Sequence, residues 1–221
     1  MPNSRSKLEL DVAELFVSLQ GEGAHAGLPM FFVRLAGCNL RCRWCDTPYA
    51  QRPLKKLLSL SRIISLWEQE GALGYVQITG GEPLLQENVY PLMEIFLKRG
   101  AKVLLETNGS LSLEKVPPEV VKVMDLKPPS SGMEEHNLFE NLAFLTKKDE
   151  VKIVVADKRD YAWAKEIISS YHLPVFTNVL LSPAFGLLEP ERLASWILKD
   201  RLPVRFQLQL HKVLWGDRPG V

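Results

Sequence analysis

The chain has 221 residues, 46% of them hydrophobic and 24% charged, with a formal net charge of +1. That balance is typical of a folded globular protein. It excludes a disordered chain and any whole-molecule field that would draw nucleic acid or an anionic surface. No run approaches the roughly 20 apolar residues of a membrane span, and residues 1–10 lack the apolar core of a secretory signal. Only three cysteines are present, so no disulfide framework is available. We expect a single domain over residues 1–221, in a reducing cytoplasm, with about 70% of its unfolded surface buried.

Apolar, β-prone runs predict strands over 12–19 and 30–35. Helical spacing of Ile63, Ile64 and Trp67 predicts a helix over 60–69 that stops near Gly71. A strand over 75–79, a glycine turn and a helix over 88–99 follow, then strands over 102–106 and 120–125. A helix is expected over 134–145, a strand over 150–155 and a helix over 161–171. A strand over 175–181, a helix over 190–199 and a strand over 204–208 close the series. Strands alternating with helices imply parallel βαβ units with right-handed crossovers. Eight units need about 250 residues, so an incomplete α/β barrel of about six mostly parallel strands is expected.

Functional loops of such folds gather at the carboxyl ends of the strands. Five candidates fall there: the cysteine loop, Gly80–Pro83, Asn108-Gly109, Lys127-Pro128-Pro129 and Ser182-Pro183-Ala184-Phe185. The cysteine loop reads Gly37-Cys38-Asn39-Leu40-Arg41-Cys42-Arg43-Trp44-Cys45-Asp46-Thr47. Scattered cysteines are usually buried small hydrophobes, but here all three stand in one CxxxCxxC run. Four-iron clusters are normally held by four thiolates, so three leave one iron open to a small molecule. Structural zinc also takes four ligands; a fold bringing His25 or His211 to the loop would complete that site instead. Thr79-Gly80-Gly81-Glu82-Pro83 reads either as turn punctuation or as a backbone that approaches a ligand closely, with Glu82 accepting from an ammonium group.

The cysteine spacing with Gly80-Gly81-Glu82-Pro83 resembles the radical S-adenosylmethionine superfamily. Within it, Phe16-Val17-Ser18-Leu19-Gln20-Gly21-Glu22-Gly23 and Phe32-Val33-Arg34-Leu35-Ala36-Gly37-Cys38 resemble the 7-carboxy-7-deazaguanine synthase family over nearly the whole chain. The resemblance implies a 4Fe-4S cluster on Cys38, Cys42 and Cys45, with S-adenosylmethionine bound to the open iron. It places Trp44, Cys45, Asp46, Gly81, Glu82, Glu106, Asn108, Lys127, Ser182, Pro183, Ala184 and Phe185 around that cofactor. Leu19, Gln20, Gly21, Arg34, Thr79 and the carboxylate of Val221 would meet a carboxylated pterin. An arginine fork suits a carboxylate, although an arginine in a strand is more often surface-paired.

Thr47 would ligate Mg²⁺, an ion that prefers oxygen ligands; its alternative is to cap a turn before Pro48. Where some relatives carry Ser-Pro-Lys, this chain has Asp125-Leu126-Lys127, so only Lys127 carries over. The resemblance further implies a flavodoxin or ferredoxin electron donor, a homodimer, and no direct nucleic-acid or membrane partner. A glycyl-radical activase shares the cysteine spacing, and a non-enzymatic metal-binding module is the alternative of a different class.

Overall fold

The computed structural model describes residues 8–216, 218 and 220. Nine strands form one sheet: β1 (Glu9–Leu19), β2 (Pro29–Leu35), β3 (Leu57–Ser59), β4 (Tyr75–Gly80), β5 (Lys102–Thr107), β6 (Val121–Leu126), β7 (Glu150–Val155), β8 (Asn178–Pro183) and β9 (Arg205–Phe206). Their order is β3-β1-β2-β4-β5-β6-β7-β8-β9, and β3 and β9 are its two open ends. β2 and β4 to β9 run parallel, while β1 pairs antiparallel with both β2 and β3. The incomplete barrel is therefore an open sheet, with an antiparallel β1–β3 extension on one side.

Alternation along the strands divides the sheet into two chemically distinct faces. Phe31, Val33 and Leu35 of β2, Val76 and Ile78 of β4, and Val151, Ile153 and Val155 of β7 join one apolar core. The helices α1 (Leu60–Gln69), α2 (Val89–Lys98), α3 (Lys158–Ser170) and α4 (Pro190–Asp200) cover this face. The intervening residues Phe32, Arg34, Thr79, Glu106, Asp125, Lys152 and Val154 line a cavity on the other face. A closed barrel fills that space with layers of branched aliphatics; here much of it is polar.

Three expectations on local structure are corrected. Residues 134–145 form short 3₁₀ turns, Glu134–His136 and Phe139–Phe144, and no α-helix. Two asparagines there serve as backbone struts: Asn137 clamps the N–H and C=O of Lys127, and Asn141 bonds Gly109, Leu111 and Leu113. β8 starts at Asn178 because Leu173–Val175, with Pro174 inside it, makes a 3₁₀ turn. Beyond a very short β9, the tail forms α5 (Leu210–Trp215). No helix among the described residues is long and apolar enough to cross a membrane.

Candidate active site

The cysteine loop leaves β2 and is closed at its base by backbone pairing. Gly37 N donates to Ala50 O at 2.8 Å, and Cys38 N to Gln51 O at 3.0 Å. Farther out, Asp11 accepts the N–H groups of Leu54, Lys55 and Lys56, tying the return segment to β1. Leu40, between Cys38 and Cys42, is buried. All three cysteines are free thiols, half-buried, on the wall of one cavity of about 660 Å³. Burial pushes the Cys38 and Cys42 thiols up from their usual range. Against that, Cys38 Sγ accepts from Leu40 N at 3.4 Å and Asn108 Nδ2 at 3.7 Å, bonds that favour a thiolate. Three free thiols on one concave wall, with N–H donors beside one of them, have the chemistry of a thiolate-held iron–sulfur cluster, although among the described residues no three His, Cys, Asp or Glu side chains are gathered tightly enough to hold a single metal ion.

His25 does not complete a zinc site here. It lies against Tyr75 and near Lys102, the first residues of β4 and β5, at the opposite end of the strands from the cysteines. His211 does border the cavity. Thr47 caps no turn through its side chain: its hydroxyl donates to Asp46 Oδ1 at 3.3 Å and lies 4.0 Å from Cys45 Sγ.

Gly80 and Gly81 are explained by close packing of two loops. A Cβ on Gly80 would lie 2.2 Å from Leu35 O, and one on Gly81 would lie 2.1 Å from Gly37 O. Gly81 N donates to Leu35 O and Glu82 N to Gly37 O, so the glycine turn is zipped to the root of the cysteine loop. Glu82 is fully buried and takes no part in the cavity wall. Its Oε1 accepts from Leu84 N and Thr107 Oγ1, and its Oε2 from Asn108 N at 2.7 Å. Burial pushes its carboxyl up, opposed by those donors. Glu82 is thus a strut that holds the Asn108 loop, and it is not open to a ligand's ammonium group.

Of the other expected residues, Trp44, Asp46, Thr47, Gly81, Asn108, Lys127 and Phe185 border the cavity, as do Leu19, Gln20, Arg34, Thr79 and Glu106. Ser182, Pro183 and Ala184 are buried away from it, and the Ser182 hydroxyl has no partner. Gln20 is largely engaged within the protein. Its Nε2 donates to Gln77, its Oε1 accepts from Glu22 N, and its backbone pairs with Gly27 and Leu28. Gly21 is not part of the wall; it receives α5, with Leu210 N donating to its carbonyl at 2.9 Å and His211 packed on its Cα. Val221 lies outside the described residues. The preceding Gly216, Arg218 and Gly220 border the same cavity.

Sequence reading named Glu106 and Lys127 but missed Glu22, Asp125 and Lys152, which join them in an inner polar layer. Lys152 pairs with Glu22, Glu106 and Asp125, and Asp125 pairs with Lys127 at 3.0 Å. Burial alone would raise the Glu106 carboxyl, but the Lys152 ammonium beside it holds it well below the usual range. The signal was available as period-2 spacing: Glu106, Asp125 and Lys152 each fall on the strand positions opposite to the aliphatic set.

The Radical SAM superfamily model matches residues 33–125. A 7-carboxy-7-deazaguanine synthase from Chlorobaculum tepidum is 44% identical over 220 residues, covering 96% of this chain and 97% of the relative. One from Koribacter versatilis is 42% identical, covering 93% and 97%. The crystal structure of QueE from Escherichia coli superposes with a TM-score of 0.75 at 24% identity, over 92% of this chain and 95% of that one, a likeness of fold. At that identity and coverage, the chain belongs to the 7-carboxy-7-deazaguanine synthase family of the radical SAM superfamily.

Proposed function

We propose that this enzyme is a radical carbon–nitrogen lyase that contracts 6-carboxy-5,6,7,8-tetrahydropterin to 7-carboxy-7-deazaguanine with loss of ammonia, on the route to 7-deazapurines such as queuosine. The observation that carries the reading is that the three thiols and Arg34 open onto the same cavity. Cys38, Cys42 and Cys45 would hold the 4Fe-4S cluster. Trp44, Asp46, Gly81, Asn108, Lys127 and Phe185 would border S-adenosylmethionine. When bound, these groups supply one electron and a 5′-deoxyadenosyl radical for hydrogen abstraction.

The protein's own part is positioning, because reacting atoms must be held near contact distance and away from bulk water. Arg34 offers its fork to the pterin carboxylate. Leu19 and Thr79 border the ring, and the Thr47 hydroxyl, with substrate oxygens, would ligate Mg²⁺. The tail, down to the carboxylate of Val221, would close the substrate side. Turnover needs a low-potential donor of the flavodoxin or ferredoxin type, and we expect a homodimer in a reducing cytoplasm.

The test is an anaerobic assay of reconstituted enzyme with reductant, Mg²⁺, S-adenosylmethionine and the carboxytetrahydropterin, read by mass spectrometry. Formation of 7-carboxy-7-deazaguanine is expected. Release of 5′-deoxyadenosine without that product would reassign the substrate, and neither product from a cluster-loaded enzyme would overturn the reading.

A further inference from the structure

On the inner face of the sheet Lys152 has a side chain only 6% exposed, facing three carboxylates. Its Nζ donates to Glu22 Oε2 and Glu106 Oε1 and lies 3.4 Å from Asp125 Oδ2. Lys127 also neutralises Asp125. Two ammonium groups therefore meet three carboxylates in a partly buried layer, and the Arg34 guanidinium, farther off, also acts on Glu106.

The free capacity of that layer is acceptor capacity. Among the described residues, Glu22 Oε1 takes one donor, Gln209 Nε2 at 2.8 Å, and Glu106 Oε2 takes one, Thr79 Oγ1 at 3.2 Å. A carboxylate oxygen accepts more than one N–H. Glu22, Glu106 and Lys152 all border the cavity, so further donors would come from a bound molecule. Lys152 itself is no proton donor. Burial would lower its affinity for its proton, but the three carboxylates reverse that and push it well above the usual lysine range, so its charge is fixed.

We infer that Lys152 is a positioning residue for substrate recognition: it holds Glu22 and Glu106 together as acceptors for the N–H edge of the aminopyrimidinone ring. The inference rests on the pterin reading above and moves Glu106 from the cofactor side to the substrate side. A reduced pterin is rich in donors, with an exocyclic amine and several ring N–H groups. A ring bearing a 2-oxo group in place of the 2-amino group would set lone pair against lone pair at a carboxylate. Sites built to hydrogen-bond a donor reject analogues that lack it.

The test is fluorescence titration of cluster-loaded enzyme with S-adenosylmethionine, using unreactive 6-carboxypterin and its 2-oxo analogue 6-carboxylumazine. The wild type should prefer the pterin by about ten- to hundredfold, the worth of a hydrogen bond to a charged group. Lys152→Met should bring the ratio close to one, and Lys152→Arg should restore most of it. Should Lys152→Met fail to fold by circular dichroism, Glu22→Gln is read in the same way. A variant that weakens both ligands equally, leaving the ratio unchanged, overturns the inference alone. A wild type that binds neither ligand overturns the pterin reading and the inference with it.

Discussion

Arg34 and Glu14 face each other across the antiparallel β1–β2 ladder, and Arg34 Nε donates to Glu14 Oε2 at 3.0 Å. The same carboxylate oxygen accepts from the Tyr49 hydroxyl at 2.8 Å, so Glu14 is itself held in place where it grips the Nε side of the fork. The guanidinium also lies 5.7 Å from the Phe16 ring centroid. Among the described residues, its terminal nitrogens have no acceptor and are available for a ligand on the cavity side.

Arg34→Ala should therefore raise the KM for the carboxytetrahydropterin by about tenfold or more, as loss of a charged hydrogen bond does, while slow 5′-deoxyadenosine release persists. Glu14→Gln keeps the fork but loosens it, and should give the same defect at smaller size. Steady-state kinetics on both variants decides this; an unchanged KM in Arg34→Ala would remove the residue from the site.

Gly81 tests whether the glycine turn is structural. An added methyl would meet the Gly37 carbonyl at 2.1 Å and the Ala50 carbonyl at 2.8 Å, both rigid backbone. Gly74 precedes the same strand and has open space where its Cβ would be. Gly81→Ala should lower Tm by many degrees and reduce the iron bound after reconstitution, whereas Gly74→Ala should stay within about 0.5 kcal/mol of wild type. Thermal melts and iron assays on the pair separate local crowding from a general intolerance of alanine.

Much of this architecture was legible because hydrophobic runs at strand and helix periods are local signals. The helix over Leu60–Gln69 and the strand over Glu150–Val155 stand where their patterns put them. The cysteine loop was legible for the same reason, since its ligands lie close together in sequence. Contacts that depend on long-range closure were not legible. Glu22 and Lys152 are 130 residues apart and meet only because β7 closes onto the loop after β1. Glu82 read as an open acceptor because nothing local announces that Thr107 and Asn108 consume its oxygens. The 3₁₀ turns at 134–144 escaped because Asn137 and Asn141 bond to backbone 10 to 32 residues away.

Glu82→Gln replaces an acceptor-only group by one with two donors, facing the N–H groups of Leu84 and Asn108 and the Thr107 hydroxyl. One donor must then oppose another in a fully buried place, a cost of about 1–3 kcal/mol. A lowered Tm with slower turnover is expected, and circular dichroism melts check it. Unchanged stability would mean that the Asn108 loop has another support.

The C-terminal segment is pinned at Gly21. A Cβ there would lie 2.2 Å from His211 Nδ1, and only a shift of the ring or of α5 would relieve it. Gly21→Ala and His211→Ala should both speed proteolysis after the residue 201–216 region without lowering the global Tm by more than a few degrees. Equal protection in the variants and the wild type would show that the tail is held elsewhere, for example through Gln209 on Glu22.

Lys152→Met carries a pH signature of definite sign. In the wild type, burial acts to raise the Glu106 carboxyl, but Lys152 beside it, with Arg34 farther off and the Thr79 hydroxyl, brings it below the unfolded value of 4.5. A carboxylate lowered on folding contributes stability that is present above its unfolded pKa and is lost as pH falls. Glu22 and Asp125 face the same lysine and lose the same partner in the variant. Without Lys152 burial dominates, so Glu106 is raised on folding and destabilises the variant above pH 4.5, a cost relieved as it protonates. Breaking a buried pair costs about 3–5 kcal/mol, which for a chain of this size is a Tm gap on the order of 10 °C at pH 7. The gap should narrow steadily between pH 7 and pH 4. Melts of both proteins across that range decide it, and a gap independent of pH would mean that Lys152 stabilises by packing its stem, with little part played by its charge.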